Sequence, residues 1–198
     1  MLKFGIDIDG VCFDWQYFVD WHNKVYGTSF TKKDFLSADF YDKFDIPYNI
    51  LERRINTMYK TVGVRNFTPA PGAVSGVREL STMGRNLAIT SRPSWAHEDT
   101  HYWLNANFNR VFNGGVHFTK NRHFNRTNHL QTKLDVCVRE KVSYLLEDDL
   151  NYALPCAEHG IGVLLFDFYE DKLKLPENVH LIYSWAEAVA KIKELEEI

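Results

Sequence analysis

Two aspartates, Asp7 and Asp9, stand one residue apart in "FGIDIDGVCFDW" (4–15), where a short apolar run ends, and Gly10 follows at once. Two more polar clusters also close apolar runs: Thr90-Ser91-Arg92 after "NLAI", and Glu147-Asp148-Asp149 after "SYLL". If those runs are parallel strands, their ends share one edge of a sheet and the clusters converge. Asp7, Asp9, Glu147, Asp148 and Asp149 could not all stay ionised there unaided, because close carboxylates raise one another's pKa. A divalent cation resolves the repulsion. Oxygen-only ligands favour Mg²⁺, which keeps several waters and is commonly shared between a few carboxylates and a substrate phosphate. Each cluster alone is ambiguous. Asp-x-Asp occurs in loops and calcium sites, Thr-Ser serves as a helix cap or turn, and acids before a helix complement its dipole. Their joint occurrence, in this order and each at an expected strand end, points to one site.

The elements that must position these clusters are legible as a rhythm. "LKFGIDI" (2–8) reads as a buried strand. Residues 13–27 read as an aromatic-rich helix stopped by Gly27, Thr31 as an N-cap, and Pro47 as the start of a further helix, so that 14–68 is expected to be helical. "TPAPGA" (68–73) punctuates the chain. From there helices and strands alternate: helix 73–83, strand 86–90, a helix from Ser94 to about Asn107, short strand material in 110–119, helix 130–141 and strand 142–147. A helix at 149–159, strands at 161–167 and 179–183, and a final amphipathic helix capped by Ser184 complete the chain. Such alternation argues for a parallel sheet covered by helices on both faces, with ligands bound beyond the carboxyl ends of the strands.

Composition narrows the setting. Of the 198 residues, 45% are hydrophobic and 25% charged, enough to bury a sizeable core, and the net charge of −3 gives no reason to expect a nucleic-acid partner. Cys12, Cys137 and Cys156 are odd in number and lack metal-like spacing; no signal-peptide pattern or membrane-length apolar run is visible. A cytoplasmic location is the expectation.

On these residues the chain resembles the haloacid dehalogenase superfamily of phosphohydrolases. "DIDGV" is similar to its first motif, "AITS" to its second, Lys133 in "TKLDVC" to its third and "LLEDD" to its fourth. "DGVCFDW", "TSRP", the Lys133–Cys137 pattern and "EDD…A…HGIGVLLFD" resemble the 5'(3')-deoxyribonucleotidases and their bacterial, archaeal and phage relatives. The resemblance implies an α/β fold: a Rossmann-like parallel sheet formed by 1–13 and 69–198, with a small all-helical cap, 14–68, inserted after the first strand. It implies an Mg²⁺-dependent phosphomonoesterase in which Asp7 attacks phosphorus and Asp9 protonates the leaving group, then activates water. Mg²⁺ is then held by Asp7, the main-chain carbonyl of Asp9 and Asp148. A one-residue shift of the match puts Asp149 in place of Asp148, and Glu147 and Asp149 are otherwise candidates to order metal-bound water or hold Lys133. Thr90 binds the transferring oxygens and Lys133 offsets charge built up in the transition state. Gly10, in this reading, lets the backbone turn so that Asp9 leans over the substrate.

Other residues have two readings. Lys133 is a site residue or a solvated helix lysine; its competitor Lys141 falls at the strand end opposite the site. Trp15 either stacks on a base or packs the cap with Phe13, Phe18 and Trp21. Arg92 either reaches the substrate or pairs with an acid of the fourth motif. Gly10, Trp15, Ser91 and Arg92 form the expected substrate-binding set. The histidine-rich "HFTKNRHFNRTNH" (117–129) has His117, His123 and His129 spaced by six, unlike a zinc set; it reads as a solvated loop whose Lys120 and Arg122 steer anions. The expected partner is a small phosphorylated metabolite, a nucleoside monophosphate first and a sugar phosphate second, with no membrane partner and a homodimer left open. Carbon–halogen hydrolysis, which needs neither Asp9 nor a metal, and a non-catalytic binding module rank below.

Overall fold

The computed structural model describes residues 1–36, 40, 43, 45–121, 130–167 and 174–197. Among them, six strands form one parallel sheet: β1 (Leu2–Ile6), β2 (Gly84–Thr90), β3 (Val116–Phe118), β4 (Tyr144–Glu147), β5 (Gly162–Phe166) and β6 (Val179–Ile182), in the order β3-β2-β1-β4-β5-β6. This 3-2-1-4-5-6 order reverses direction at β1. The crevice beyond the carboxyl ends of β1 and β4 is therefore where such a sheet binds its ligand.

Side-chain alternation sorts the core into two faces. Leu87, Ile89, Leu145, Val163 and Leu165 point one way and pack on α6 (Lys133–Glu140) and α7 (Leu150–Glu158). Phe4, Ile6, Ala88, Leu146, Leu164 and Phe166 point the other way, toward α4 (Ala73–Met83), α5 (His97–Phe108) and α8 (Trp185–Leu195). Both sides of β1 and β4 are covered, so these strands read as continuous apolar runs instead of alternating ones.

Between β1 and β2 lie α1 (Gln16–Tyr26), α2 (Lys32–Phe35) and α3 (Tyr48–Met58), followed by a π turn (Tyr59–Gly63) and a 3-10 turn (Val64–Asn66). Gly27 ends α1 in the left-handed region at φ 66, and Thr31 caps α2 in a capping box with Asp34. The segment is less uniformly helical than its composition suggests: Phe13 and Trp15 precede α1, and the stretch from Gly27 to Thr31 is extended or irregular. Pro47 caps α3 from outside the helix.

Two helix starts bear on the site. α6 begins at Lys133, three residues later than the apolar pattern suggests, because Thr132 forms a capping box with Asp135. α7 begins at Leu150 because the Asp149 side chain accepts from the Asn151 amide at 2.9 Å. No described helix is long and apolar enough to cross a membrane.

Candidate active site

The loop after β1 carries the first two acids. Asp7 continues the strand, its amide donating to Leu146 O at 3.0 Å. The chain then turns tightly, with Gly10 N donating to Phe13 O and Phe13 N to Ile8 O, each at 2.7 Å. Gly10 sits at φ 84, and a β-carbon there would fall 1.8 Å from Asp148 Oδ2. Its role is to make room for Asp148, and its amide is already engaged with Phe13.

Three consecutive acids after β4 have three different surroundings. The Glu147 carboxylate is fully buried and accepts from Lys133 Nζ at 2.6 Å. Asp148 Oδ2 accepts from the Trp15 indole N–H at 2.8 Å. Asp149 is spent on capping α7. Carboxylate oxygens of Asp7, Glu147 and Asp148 lie within 4.8 Å of one another, so Asp148, not Asp149, joins Asp7. Lys133, 2% exposed at the first position of α6, also reaches Asp7 Oδ2 at 3.0 Å. Lys141 stands after α6 as its left-handed C-cap, exposed.

Electrostatics follow from this crowding. Burial lifts Asp7 well above the ordinary aspartate range, and Glu147 adds to the lift while Lys133 opposes it. Burial, with Asp7 second, pushes Asp148 up to about 8; Glu147 is likewise pushed up to about 8 by burial, against the pull of Lys133. Lys133 itself is held well above its usual value by Asp7 and Glu147, which outweigh its burial. Three carboxylates face one ammonium, so ionising all three would leave two negative charges without compensation, and without a further cation the acids resist ionisation. A hard divalent cation fits that set in charge and in ligand chemistry.

Asp9 stands apart from this cluster. Arg92 grips both its oxygens, Nε on Oδ2 at 2.8 Å and Nη2 on Oδ1 at 2.7 Å. The Tyr59 hydroxyl donates to Oδ1 at 2.6 Å. The acid that Arg92 meets is thus Asp9 of the first motif and not one of the fourth, because β2 lies directly beside β1 and is separated by it from β4. Thr100 Oγ1 accepts from Arg92 Nη1 at 3.2 Å and completes the grip. Thr90, fully buried at the end of β2, accepts from the Arg92 amide at 3.3 Å. Ser91 Oγ pairs with Thr119 Oγ1 at 3.0 Å.

Trp15 packs with Phe13 and Phe18, as one of its two sequence readings has it, and its N–H adds a role that neither reading included. Its ring is wedged among Phe13, Phe18 and Phe35, with centroids 5.9, 6.1 and 5.4 Å away, while its N–H holds Asp148. Tyr59 and Thr119 were missed. Thr119 follows a strand end, as the other clusters do, so the same logic reaches it; nothing local marks Tyr59 among the ten tyrosines. His117 contacts Gly114 O and Arg139, outside the acidic cluster. Arg122, His123 and His129 lie outside the described residues.

Fold and site together define a phosphohydrolase of the haloacid dehalogenase superfamily: an acidic pair after the first strand, a hydroxyl after the second, and a buried lysine and acids at the fourth. Comparison with known proteins takes this further. Residues 1–135 match the family described as 5' nucleotidase, deoxy (pyrimidine), cytosolic type C protein, and the chain belongs to that family. A protein of Halalkalibacterium halodurans that carries a provisional nucleotidase name is 26% identical over 200 residues, covering 97% of this chain and 93% of its own. The fold is similar to that of a haloacid dehalogenase-like hydrolase from Streptococcus pneumoniae, with a TM-score of 0.63 and 14% identity over 97% of this chain and 98% of the other. It is also similar to a magnesium-bound hydrolase of the same superfamily from Bacillus subtilis, with a TM-score of 0.59 and 12% identity over 100% and 99%. The chain is a phosphatase of the nucleotidase branch, a class whose substrates are small phosphorylated metabolites.

Proposed function

We propose that the chain is an Mg²⁺-dependent nucleotidase that releases phosphate from (deoxy)nucleoside monophosphates through an aspartyl-phosphate on Asp7. The observation that carries this reading is the set Asp7, Glu147 and Asp148 facing Lys133 at the sheet's switch point, three acids that one ammonium cannot neutralise once all are ionised. Asp7 and Asp148, with the main-chain carbonyl of Asp9, would hold Mg²⁺. The ion supplies screening between the nucleophile and the anionic phosphate; the magnesium-bound relative from Bacillus subtilis supports the assignment.

The chain's own residues do the rest. Asp7, ionised and oriented by Lys133 at 3.0 Å, attacks phosphorus in line. Asp9 gives its proton to the departing oxygen and later takes one from the water that hydrolyses the phosphoenzyme. Lys133 offsets negative charge on the transferring oxygens, and Thr90 with its neighbouring amides orients them. Residues 14–68 serve as a cap. Support for a base-bearing substrate is the family match and the aromatic surface beside Asp9. There Tyr59 contacts Trp95, an indole 45% exposed, at 6.3 Å.

The test is phosphate release from a panel of nucleoside monophosphates and sugar phosphates, with Mg²⁺ and with chelator. Nucleotides are expected to lead, chelator to abolish release, and Asp7→Asn to do the same. Release that survives Asp7→Asn ends the covalent route; a lead by sugar phosphates replaces the substrate class.

A further inference from the structure

Asp9 has about four lone-pair positions on its two oxygens. Among the described residues three are taken: Oδ1 accepts from the Tyr59 hydroxyl at 2.6 Å and from Arg92 Nη2 at 2.7 Å, and Oδ2 accepts from Arg92 Nε at 2.8 Å. The remaining position is on Oδ2. Tyr59 is 5% exposed and Arg92 4%, while the Asp9 side chain keeps 15% exposure. The carboxylate therefore sits in a socket of fixed donors and presents a single position for a proton.

The socket is assembled from both parts of the chain. Arg92 follows β2 in the sheet and is steadied by Thr100 on α5. Tyr59 opens the π turn at the end of α3, fifty residues from Asp9 and inside the segment inserted between β1 and β2. π segments recur at functional positions. The Arg92 guanidinium lies 5.4 Å from the Tyr59 ring centroid, so the two donors also brace each other.

We infer that Tyr59 is a positioning residue for proton transfer: its hydroxyl, with Arg92, orients Asp9 so that Oδ2 carries the exchanged proton. This rests on the proposed phosphatase reading and deepens it. In the first half-reaction the Asp9 Oδ2–H bond breaks, and its proton passes to the leaving oxygen as the P–O bond to the substrate opens and the bond to Asp7 forms. In the second, Oδ2 takes a proton from the water whose oxygen attacks phosphorus, and Asp7 is released. Because the hydroxyl comes from the inserted segment, Asp9 is fully oriented only while that segment is seated against the sheet.

Leaving-group dependence tests this. kcat/KM reports steps through departure of the leaving group, and only a poor leaving group needs the proton. Tyr59→Phe removes one oxygen from a ring that still packs on Phe67 at 5.4 Å. It should lower kcat/KM for a nucleoside 5'-monophosphate by roughly 10- to 100-fold, within the range that general acid catalysis contributes, and for p-nitrophenyl phosphate by less than about 3-fold. Asp9→Asn is the reference and should show the same split, more steeply. If Asp9→Asn lowers both esters alike, the assignment of Asp9 as proton donor fails. If Asp9→Asn splits them and Tyr59→Phe leaves both unchanged or lowers both alike, the positioning role alone is overturned. Should Tyr59→Phe not fold, Thr100→Val, which loosens Arg92, takes its place with the same expected split; a uniform effect there overturns the socket.

Discussion

Trp15 and Asp148, 133 positions apart in the chain, are joined by an indole N–H donating to Oδ2 at 2.8 Å. The bond fixes the rotamer of the carboxylate that shares the acidic cluster with Asp7. It also ties the residue before α1 to the end of β4. Trp15 thus acts on the site through Asp148, whatever its ring contributes to binding.

Trp15→Phe keeps an aromatic ring among Phe13, Phe18 and Phe35 while it deletes the donor and trims part of the indole. Outer partners of metal ligands are typically worth 10- to 100-fold in affinity. Half-saturation by Mg²⁺, read from phosphate release, is expected to rise by roughly 10-fold, with activity recovered at high Mg²⁺. No change would mean that Asp148 is held well enough by the rest of the site.

Lys133→Met leaves Asp7 and Glu147 buried without their ammonium. Removing one partner of a buried pair costs about 3–5 kcal/mol. Urea unfolding at pH 8 should show a loss of that order, partly restored by saturating Mg²⁺, and phosphate release should fall at least about 100-fold. A variant as stable as the parent would show that the two acids are neutral in the folded protein.

The raised acids give stability a pH dependence of known sign. Glu147 and Asp148 titrate near 8 in the folded chain without metal, chiefly from burial, and at ordinary values when unfolded. The native state then binds more protons at these two groups, so their contribution to metal-free stability is greatest at low pH and is lost as pH rises toward 8. His22 acts oppositely. Burial and Arg54 push it down to about 4, its Nδ1 pairing with Thr28 Oγ1 and its Nε2 with Arg54 Nη1, so it weakens the fold below 6.5. Between pH 6.5 and 8 only the carboxylates should matter. There the metal-free Tm should decline with pH, and the gap to the Mg²⁺-loaded Tm should widen. A flat metal-free Tm over that window would contradict the burial of these acids.

Gly10→Ala places a methyl group 1.8 Å from Asp148 Oδ2, at a φ of 84 where a side chain already costs about 1–2 kcal/mol. Asp148 must leave its indole partner. Weaker Mg²⁺ binding and a loss of activity larger than that of Trp15→Phe are expected in the same assays. An alanine variant with unchanged Mg²⁺ dependence would show that the Asp148 position is not critical.

Much of this was legible locally. The motif residues at the ends of β1, β2 and β4, the stop at Gly27 and the caps at Thr31 and Ser184 follow from apolar runs and capping chemistry, which act over a few residues. So did the convergence of Asp7, Glu147 and Asp148, because parallel strands must bring their carboxyl ends together; Lys133, at the start of α6, was reached through the family resemblance. The start of α6 was misjudged by three residues because the capping box at Thr132 outweighs the apolar pattern before it.

The sequence by itself determined which residue types meet at the sheet edge and that so many acids there could not all stay ionised unaided. Only the tertiary structure divided the acids: Glu147 to Lys133, Asp148 to Trp15, Asp149 to the cap of α7, and Asp9 to Arg92 and Tyr59. These pairings depend on how helices dock on the sheet, across separations of 14 to 133 residues except at the cap, and no local pattern of hydrophobicity or turn chemistry encodes a distance between side chains so far apart in the chain.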